Sequence, residues 1–147
     1  MPGADSKFSA LGGYRLEDQV GFYLRRAGQR HAAIFAEHMP DELTPTQWAA
    51  LVKLAEFESL SQNLLGRETA MDAATIKGVV DRLLKRGFVA TAPDPEDGRR
   101  MRVSITRAGV AAVACGVAAA TEITAETLQP LQAGERRQLL ELLRRIA

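Results

Sequence analysis

The sequence has few residues that could cross-link the chain or anchor it in a membrane. A single Cys among 147 residues excludes a disulfide framework and a zinc site built from several cysteines. By inspection, no apolar stretch is long enough to span a bilayer, and no basic segment followed by an apolar run opens the chain. The length suits one domain. We therefore expect one soluble domain over residues 1–147, located in the cytoplasm and without a membrane partner.

Enzyme motifs are also missing. The patterns G-x-x-x-x-G-K-[ST], H-E-x-x-H and G-x-S-x-G do not occur, and no G-x-G-x-x-G follows a predicted strand. We therefore expect no enzyme activity, no catalytic residues and no cofactor. His31 and His38 lie two helical turns apart and are poor ligands for one metal ion even with Glu37, so no metal site is predicted. Cys115 lies among Ala and Val and is predicted to be buried and unreactive.

The charge is balanced overall but unevenly distributed. Nineteen Lys and Arg oppose eighteen Asp and Glu, which gives a net charge of +1. Between Asp72 and Arg107, however, eight basic residues face five acidic ones. Such a stretch favours a polyanionic partner, although a solvated surface would look the same.

Apolar periodicity and capping residues predict a mainly α-helical chain with one small β-hairpin. Residues 1–13 are unpatterned and predict a loose arm. The predicted elements are a helix from Arg15 to Met39, a helix opening at Thr44, a short helix capped by Ser61, a helix from Asp72 through Arg86, strands Phe88–Ala92 and Met101–Ile105, a helix capped by Thr106, and a helix over Gln132–Ile146. In the helix that Asp72 caps, the predicted inward residues are Ile76, Val79, Val80, Leu83 and Leu84.

This order of elements is that of a winged helix-turn-helix. Residues 44–105 would form the lobe, with a second helix suited to the DNA major groove and a hairpin suited to the phosphates and the minor groove. The flanking segments 15–39 and 106–147 carry more apolar residues than so small a lobe can cover. We therefore predict that they form dimerisation helices, with intrachain core as the alternative.

The hairpin also carries the pattern by which the chain resembles the MarR family of bacterial transcriptional regulators. Asp97-Gly98-Arg99 is followed by Ile105-Thr106, where Ile replaces the more usual Leu, and the stretch Val80–Leu84 with Gly87-Phe88-Val89 also matches. The resemblance implies a winged helix-turn-helix homodimer on an inverted-repeat operator in double-stranded DNA, commonly a repressor that a small ligand releases. The alternative is a winged-helix protein–protein adaptor that does not bind DNA.

The helix from Asp72 and the wing supply the predicted DNA contacts. Ala74 and Gly78 permit close approach, while Thr75 and Lys77 supply contacts. Arg99 would enter the minor groove and Asp97 would orient it. The full predicted set is Asp72, Ala74, Thr75, Lys77, Gly78, Arg82, Asp97, Arg99 and Arg100, and Arg67 and Arg86 are further candidates for phosphate contacts.

The outer helices supply the predicted dimer and effector residues. Dimerisation is assigned to Leu16, Val20, Leu139, Leu140, Leu143 and Ile146. By resemblance, an effector would bind between the dimerisation helices and the lobe, and an aromatic carboxylate or its CoA thioester would need flat apolar walls and a cation or donor. The candidates are Tyr14, Phe22, Trp48 and Phe57 as walls and Arg25, Arg26, Arg30 or His31 as donors, although Phe22 and Trp48 could equally be core residues.

Overall fold

The computed structural model describes residues 10–147, so residues 1–9 of the predicted arm lie outside the described residues. Within that range the chain forms six α-helices and one three-stranded sheet, which confirms the predicted fold class. The elements are α1 (Val20–His38), α2 (Pro45–Phe57), β1 (Ser59–Ser61), α3 (Gln62–Glu68), α4 (Ala73–Lys85), β2 (Val89–Pro93), β3 (Met101–Ile105), α5 (Arg107–Thr127) and α6 (Ala133–Ile146). Short 3₁₀ turns cover Leu16–Asp18 and Pro40–Glu42.

Four helices begin at the side-chain caps that the sequence predicts. The hydroxyl of Thr44 accepts from the Gln47 amide at 3.3 Å, and the Gln47 side chain accepts from the Thr44 amide at 3.2 Å. Ser61, Asp72 and Thr106 each accept from the amide three residues later at the starts of α3, α4 and α5. Each cap satisfies an amide that has no partner inside its helix, so the chain fixes these starts locally.

The sheet is antiparallel in the order β1-β3-β2. β2 and β3 form the predicted hairpin, although β2 begins at Val89 and ends at Pro93, one residue later at each end than predicted. β1 was not predicted. It pairs Leu60 with Val103, and both side chains are buried.

The core lies under the helix-turn-helix lobe. Its most deeply buried side chains include Leu51, Leu54, Leu65, Leu83 and Val103, contributed by three helices and β3. One predicted member is wrong: Leu84 is 42% exposed. It follows the fully buried Leu83, and one residue along a helix turns the side chain by about 100°, away from the core.

The first predicted helix is divided. Leu16–Asp18 form a separate turn, and Gln19 has extended backbone angles (φ −101°, ψ 131°) before α1 starts at Val20. The spacing of the apolar residues alone predicts one continuous helix from Arg15. The two pieces keep the same apolar spacing, so the break does not disturb the pattern from which the helix was predicted.

α5 connects the lobe to the outer helices by packing against both α1 and α2. Gly109 and Gly116 are buried on it: a Cβ on Gly116 would lie 2.3 Å from Cζ3 of Trp48. By length and composition α5 could also span a membrane, so the expectation that no stretch is long and apolar enough is wrong by that criterion. Its apolar character is consistent with these two helix contacts.

Candidate nucleic-acid interface

α4 presents one apolar face to the core and one polar face to solvent. Ile76, Val79, Val80 and Leu83 are buried, whereas the predicted contact residues Ala74, Thr75, Lys77 and Arg82 are exposed and Gly78 is half-buried. A Cβ on Gly78 would lie 3.5 Å from a guanidinium nitrogen of Arg82, so the arginine side chain lies along the glycine. Gly78 adds no side chain of its own to the outward face, as close approach to a partner surface requires, and the neighbouring Arg82 side chain is flexible and exposed.

The N-terminus of α4 is fixed by a charged cap. The amide of Thr75 donates to Oδ1 of Asp72 at 2.7 Å. Hydrogen bonds from the backbone and side chain of Thr75 hold the pKa of Asp72 below its ordinary value, because they favour the ionised carboxylate. Asp72 therefore acts on the start of the helix and fixes the backbone that carries Thr75.

Lys77 is exposed but already has a partner. Its Nζ donates to Oδ2 of Asp81 at 2.9 Å, one turn along α4. The pair is exposed, so it contributes little stability, and a stronger anion could displace the carboxylate at small cost.

The wing tip is a closed turn that displays two arginines. The amide of Asp94 donates to the carbonyl of Arg100, and the amide of Arg100 donates to the carbonyl of Asp97, both at 2.9 Å. The Arg99 side chain is 96% exposed, and its amide donates to Oδ1 of Asp97 at 3.1 Å. The structure thus holds Asp97 and Arg99 in one turn, as the predicted orienting role requires.

The contact between Asp97 and Arg99 is weaker than predicted. Nε of Arg99 lies 4.0 Å from Oδ1 of Asp97, whereas Nε of Arg100 lies 3.7 Å from Oδ2. The carboxylate therefore fixes the Arg99 backbone more firmly than its guanidinium, and the guanidinium remains in solvent.

The two further candidates for phosphate contacts differ in how far their side chains are already engaged within the protein. Arg67 is exposed on α3. Arg86 donates to the backbone carbonyl of Asp41, and its guanidinium carbon lies 4.8 Å from the centre of the Phe88 ring. Since both contacts hold it against the lobe, Arg86 has a structural role that sequence spacing did not reveal.

α6 leaves an apolar surface uncovered. None of its residues is buried within the described chain, and Val20 on α1 and Ile146 on α6 are each 67% exposed. The predicted dimerisation residues Val20, Leu139, Leu143 and Ile146 line one shared groove, and Leu140 lines the adjoining cavity. Leu16 is exposed and does not line either of them. An apolar surface of this kind suits a second protein surface.

The structure separates the predicted effector residues. An apolar cavity of about 530 Å³ between α1, α5 and α6 is lined by His31, Tyr23 and leucines of α6. A second groove of about 650 Å³ lies between α2 and α5 and is lined by Trp48, Glu56, Thr121 and Thr124 among others. Of the eight candidates named for one effector pocket, therefore, His31 and Trp48 lie in different cavities.

The other six effector candidates line neither of these cavities. Tyr14 and Phe57 are exposed. Phe22 packs against the guanidinium groups of Arg25 and Arg26 and edge-on against Tyr23. Sequence spacing groups residues that are close along a helix, whereas a pocket depends on which face each residue occupies.

Comparisons with known proteins agree with the architecture described above. The family model described as the MarR family matches residues 41–100. The HTH-type transcriptional repressor NicR of Pseudomonas putida is 40% identical over 134 residues, which cover 90% of this chain and 85% of that protein. This chain belongs to the MarR family. The family consists of transcriptional regulators and not of enzymes.

Two solved structures have the same fold as most of this MarR-family chain. A probable transcriptional regulator from Pseudomonas aeruginosa is 56% identical, with a TM-score of 0.88, covering 90% of this chain and 100% of that one. BpsR of Bordetella bronchiseptica, solved in a study of how 6-hydroxynicotinic acid regulates its DNA binding, is 39% identical, with a TM-score of 0.87, covering 90% and 96%. The winged helix-turn-helix fold and the resemblance are thus confirmed.

One side-chain prediction is wrong in this MarR-family chain, and one contact of His38 could not be found from the sequence. Cys115 is exposed, because it points away from the face of α5 that buries Ala112 and Gly116. His38 meets Glu126 of α5 at 2.5 Å, and ligand atoms of Glu37, His38 and Glu126 lie within 4.8 Å of one another. The sequence suggests only His31 and Glu37 as companions for His38 and predicts no metal site, whereas in the structure His31 contacts Thr127 at 2.8 Å. The third group comes from a distant helix, so spacing could not find it.

Proposed function

We propose that this chain is a homodimeric, ligand-responsive repressor that binds an inverted-repeat operator in cytoplasmic double-stranded DNA. The observation that carries the proposal is the pairing of the exposed polar face of α4 with a wing whose tip guanidinium, that of Arg99, lies in solvent. The polar face suits the major groove, and an exposed guanidinium suits the narrow minor groove.

The homodimer is supported by the uncovered apolar groove of α1 and α6. One recognition helix touches few base pairs, so two half-sites about 34 Å apart are needed for useful discrimination. A symmetric dimer that buries Val20, Leu139 and Ile146 in its interface would supply two copies of α4, one for each half-site.

The DNA proposal is tested by selecting 30-base-pair duplexes from a random library with the purified protein. We expect enrichment of an inverted repeat, and Arg99→Ala should weaken binding to it roughly 5- to 150-fold. Arg137→Ala on α6 is the matched control, since it removes the same charge outside α4 and the wing. No enrichment at low salt would refute DNA binding and leave the adaptor alternative. Equal binding by the Arg99 variant and the parent would refute the role of the wing.

For the effector, we propose an aromatic carboxylate or its CoA thioester in the groove between α2 and α5. Trp48 offers a flat wall, and the groove joins the lobe to the helix that reaches α1. The charged group in its described lining is Glu56, not the cation predicted from sequence. A ring that also carries an N–H or O–H donor, as a hydroxypyridine carboxylate does, could pair with Glu56.

The effector is tested with nicotinate, 6-hydroxynicotinate and benzoate in thermal unfolding and DNA-release assays. A true effector at 100 times its Kd stabilises the protein by about 2.7 kcal/mol. Trp48→Leu should abolish the shift, and Glu56→Gln should selectively weaken the hydroxylated ligand. If Trp48→Leu responds like the parent while Leu140→Ala does not, the ligand occupies the cavity of α1 and α6 instead.

A further inference from the structure

A small polar cleft lies between the wing and the start of α3. Its volume is about 200 Å³, compared with about 650 Å³ for the groove beside Trp48. The residues that line it are Ser61, Gln62, Asn63, Arg99, Arg100 and Met101. We name it the wing–α3 cleft. Because Ser61 pairs with Arg102 across β1 and β3, the sheet holds the two sides of the cleft together.

The arginines of the cleft carry more positive charge than their local partner balances. Arg99 and Arg100 share one carboxylate, that of Asp97, at 4.0 and 3.7 Å. Arg102, one strand position further on, has Asp94 at 3.8 Å. One carboxylate balances one guanidinium, so the cleft keeps a surplus of one positive charge.

The opposite side of the cleft offers uncharged hydrogen-bond donors. The hydroxyl of Ser61 accepts from the Leu64 amide at 3.2 Å, which leaves its own hydrogen free to be donated. Gln62 and Asn63 each carry a side-chain NH₂ group. None of the side chains found to line the cleft is acidic. Donors of both kinds facing one small volume suit an oxyanion.

We propose that the wing–α3 cleft binds one backbone phosphate of duplex DNA through the Arg100 guanidinium and the side-chain amides of Gln62 and Asn63. This inference rests on the proposed DNA-binding function and deepens it. In this arrangement Arg100 binds the DNA backbone. Arg99, whose side chain is 96% exposed at the wing tip, remains available to enter the minor groove. The two adjacent arginines thus have different partners.

The test compares how the binding of the selected duplex depends on salt. Each phosphate neutralised by a cation adds about −0.9 to the slope of log K against log[salt]. Arg100→Gln should therefore flatten the slope by about 0.9. Asn63→Ala should weaken binding about 10-fold and leave the slope unchanged, because the amide carries no charge. Both variants should keep the urea midpoint of the parent, since both side chains are exposed.

Arg102→Gln is the matched control in the same wing, because Arg102 does not line the cleft and does not share its carboxylate, Asp94, as Arg100 shares Asp97 with Arg99. The second measurement replaces single phosphates of the duplex by neutral methylphosphonates. One position should weaken the parent strongly and Arg100→Gln clearly less, because that variant has already lost the charge contact and keeps only the amide hydrogen bonds. If Arg100→Gln and Arg102→Gln flatten the slope equally, or if Asn63→Ala binds like the parent, the cleft does not hold a phosphate although DNA binding stands. If the parent binds no duplex at low salt, the proposed function itself fails.

Discussion

Replacing Gly116 by Ala tests how tightly α5 is held against the lobe. The added Cβ would lie 2.3 Å from Cζ3, 2.8 Å from Cη2 and 3.2 Å from Cε3 of Trp48. Carbon atoms in contact normally lie about 3.5–4.0 Å apart. The indole ring must therefore shift by more than about 1 Å, and a ring is far less able to yield than the end of a flexible side chain.

Two effects of opposite sign determine the result. Overpacking of this kind costs about 1–3 kcal/mol. Ala in place of Gly within a helix gains about 1 kcal/mol. Gly78→Ala in α4 is the matched control, because its added Cβ would lie no closer than an ordinary 3.5 Å to a neighbouring side chain, that of Arg82. We expect Gly116→Ala to be less stable than Gly78→Ala by about 1–3 kcal/mol, a difference from which the helix propensity cancels.

The assay is urea unfolding followed by circular dichroism at one fixed protein concentration, since a dimer's stability depends on concentration. Trp48 is the chain's single Trp, so its fluorescence should also report the displaced ring in folded Gly116→Ala. In a Trp48→Ala background, Gly116→Ala should become neutral or stabilising. A cost that persists in that background, or a Gly116→Ala protein as stable as Gly78→Ala, would refute the steric explanation.

Three further predictions concern the lobe. Gly109→Ala should cost at least about 3 kcal/mol in urea unfolding, since its Cβ would lie 2.2 Å from the backbone carbonyl oxygen of Phe88, which cannot move aside; a stable variant would show that α5 can shift. Gly78→Ala should stabilise the free protein yet weaken binding to the selected duplex, and unchanged affinity would argue against close approach there. Asp72 has a lowered pKa when folded, so its contribution to stability is complete above about pH 4 and fades as pH falls through the lowered pKa; Asp72→Asn should flatten the stability–pH curve in that acid range, and an unchanged curve would contradict this.

Local chemistry made much of the fold predictable. The caps at Thr44, Ser61, Asp72 and Thr106 bond to residues three positions ahead, so short sequence windows contain the whole interaction. The same holds for Gly87, whose φ of +75° ends the turn after α4 as a glycine favours. Starts and stops of helices are short-range features, and the sequence carries them.

Features that depend on distant residues could not be predicted. β1 is three residues long and is held by β3, so Leu60 pairs with a residue more than forty positions away. Glu126 reaches His38 across two helices that are far apart in sequence. Cys115 lies in an apolar run, and only the orientation of α5 decides that it faces solvent. The effector residues were misgrouped for the same reason, because pockets form between elements.

α5 couples these distant parts. At its start, the Thr106 hydroxyl donates to the carbonyl of Gly87 at 2.7 Å, which ties α5 to the turn that follows α4. Near its end, Arg30 of α1 donates to the carbonyls of Thr127 and Glu126 at 2.7 and 3.0 Å. The groove beside Trp48 opens between these two attachments. On the proposed function, we therefore expect a molecule that separates α2 from α5 in this groove to move α4 relative to α1, because α4 packs against α2 while both ends of α5 are attached elsewhere. Such a movement would change the distance between the two copies of α4 in a dimer.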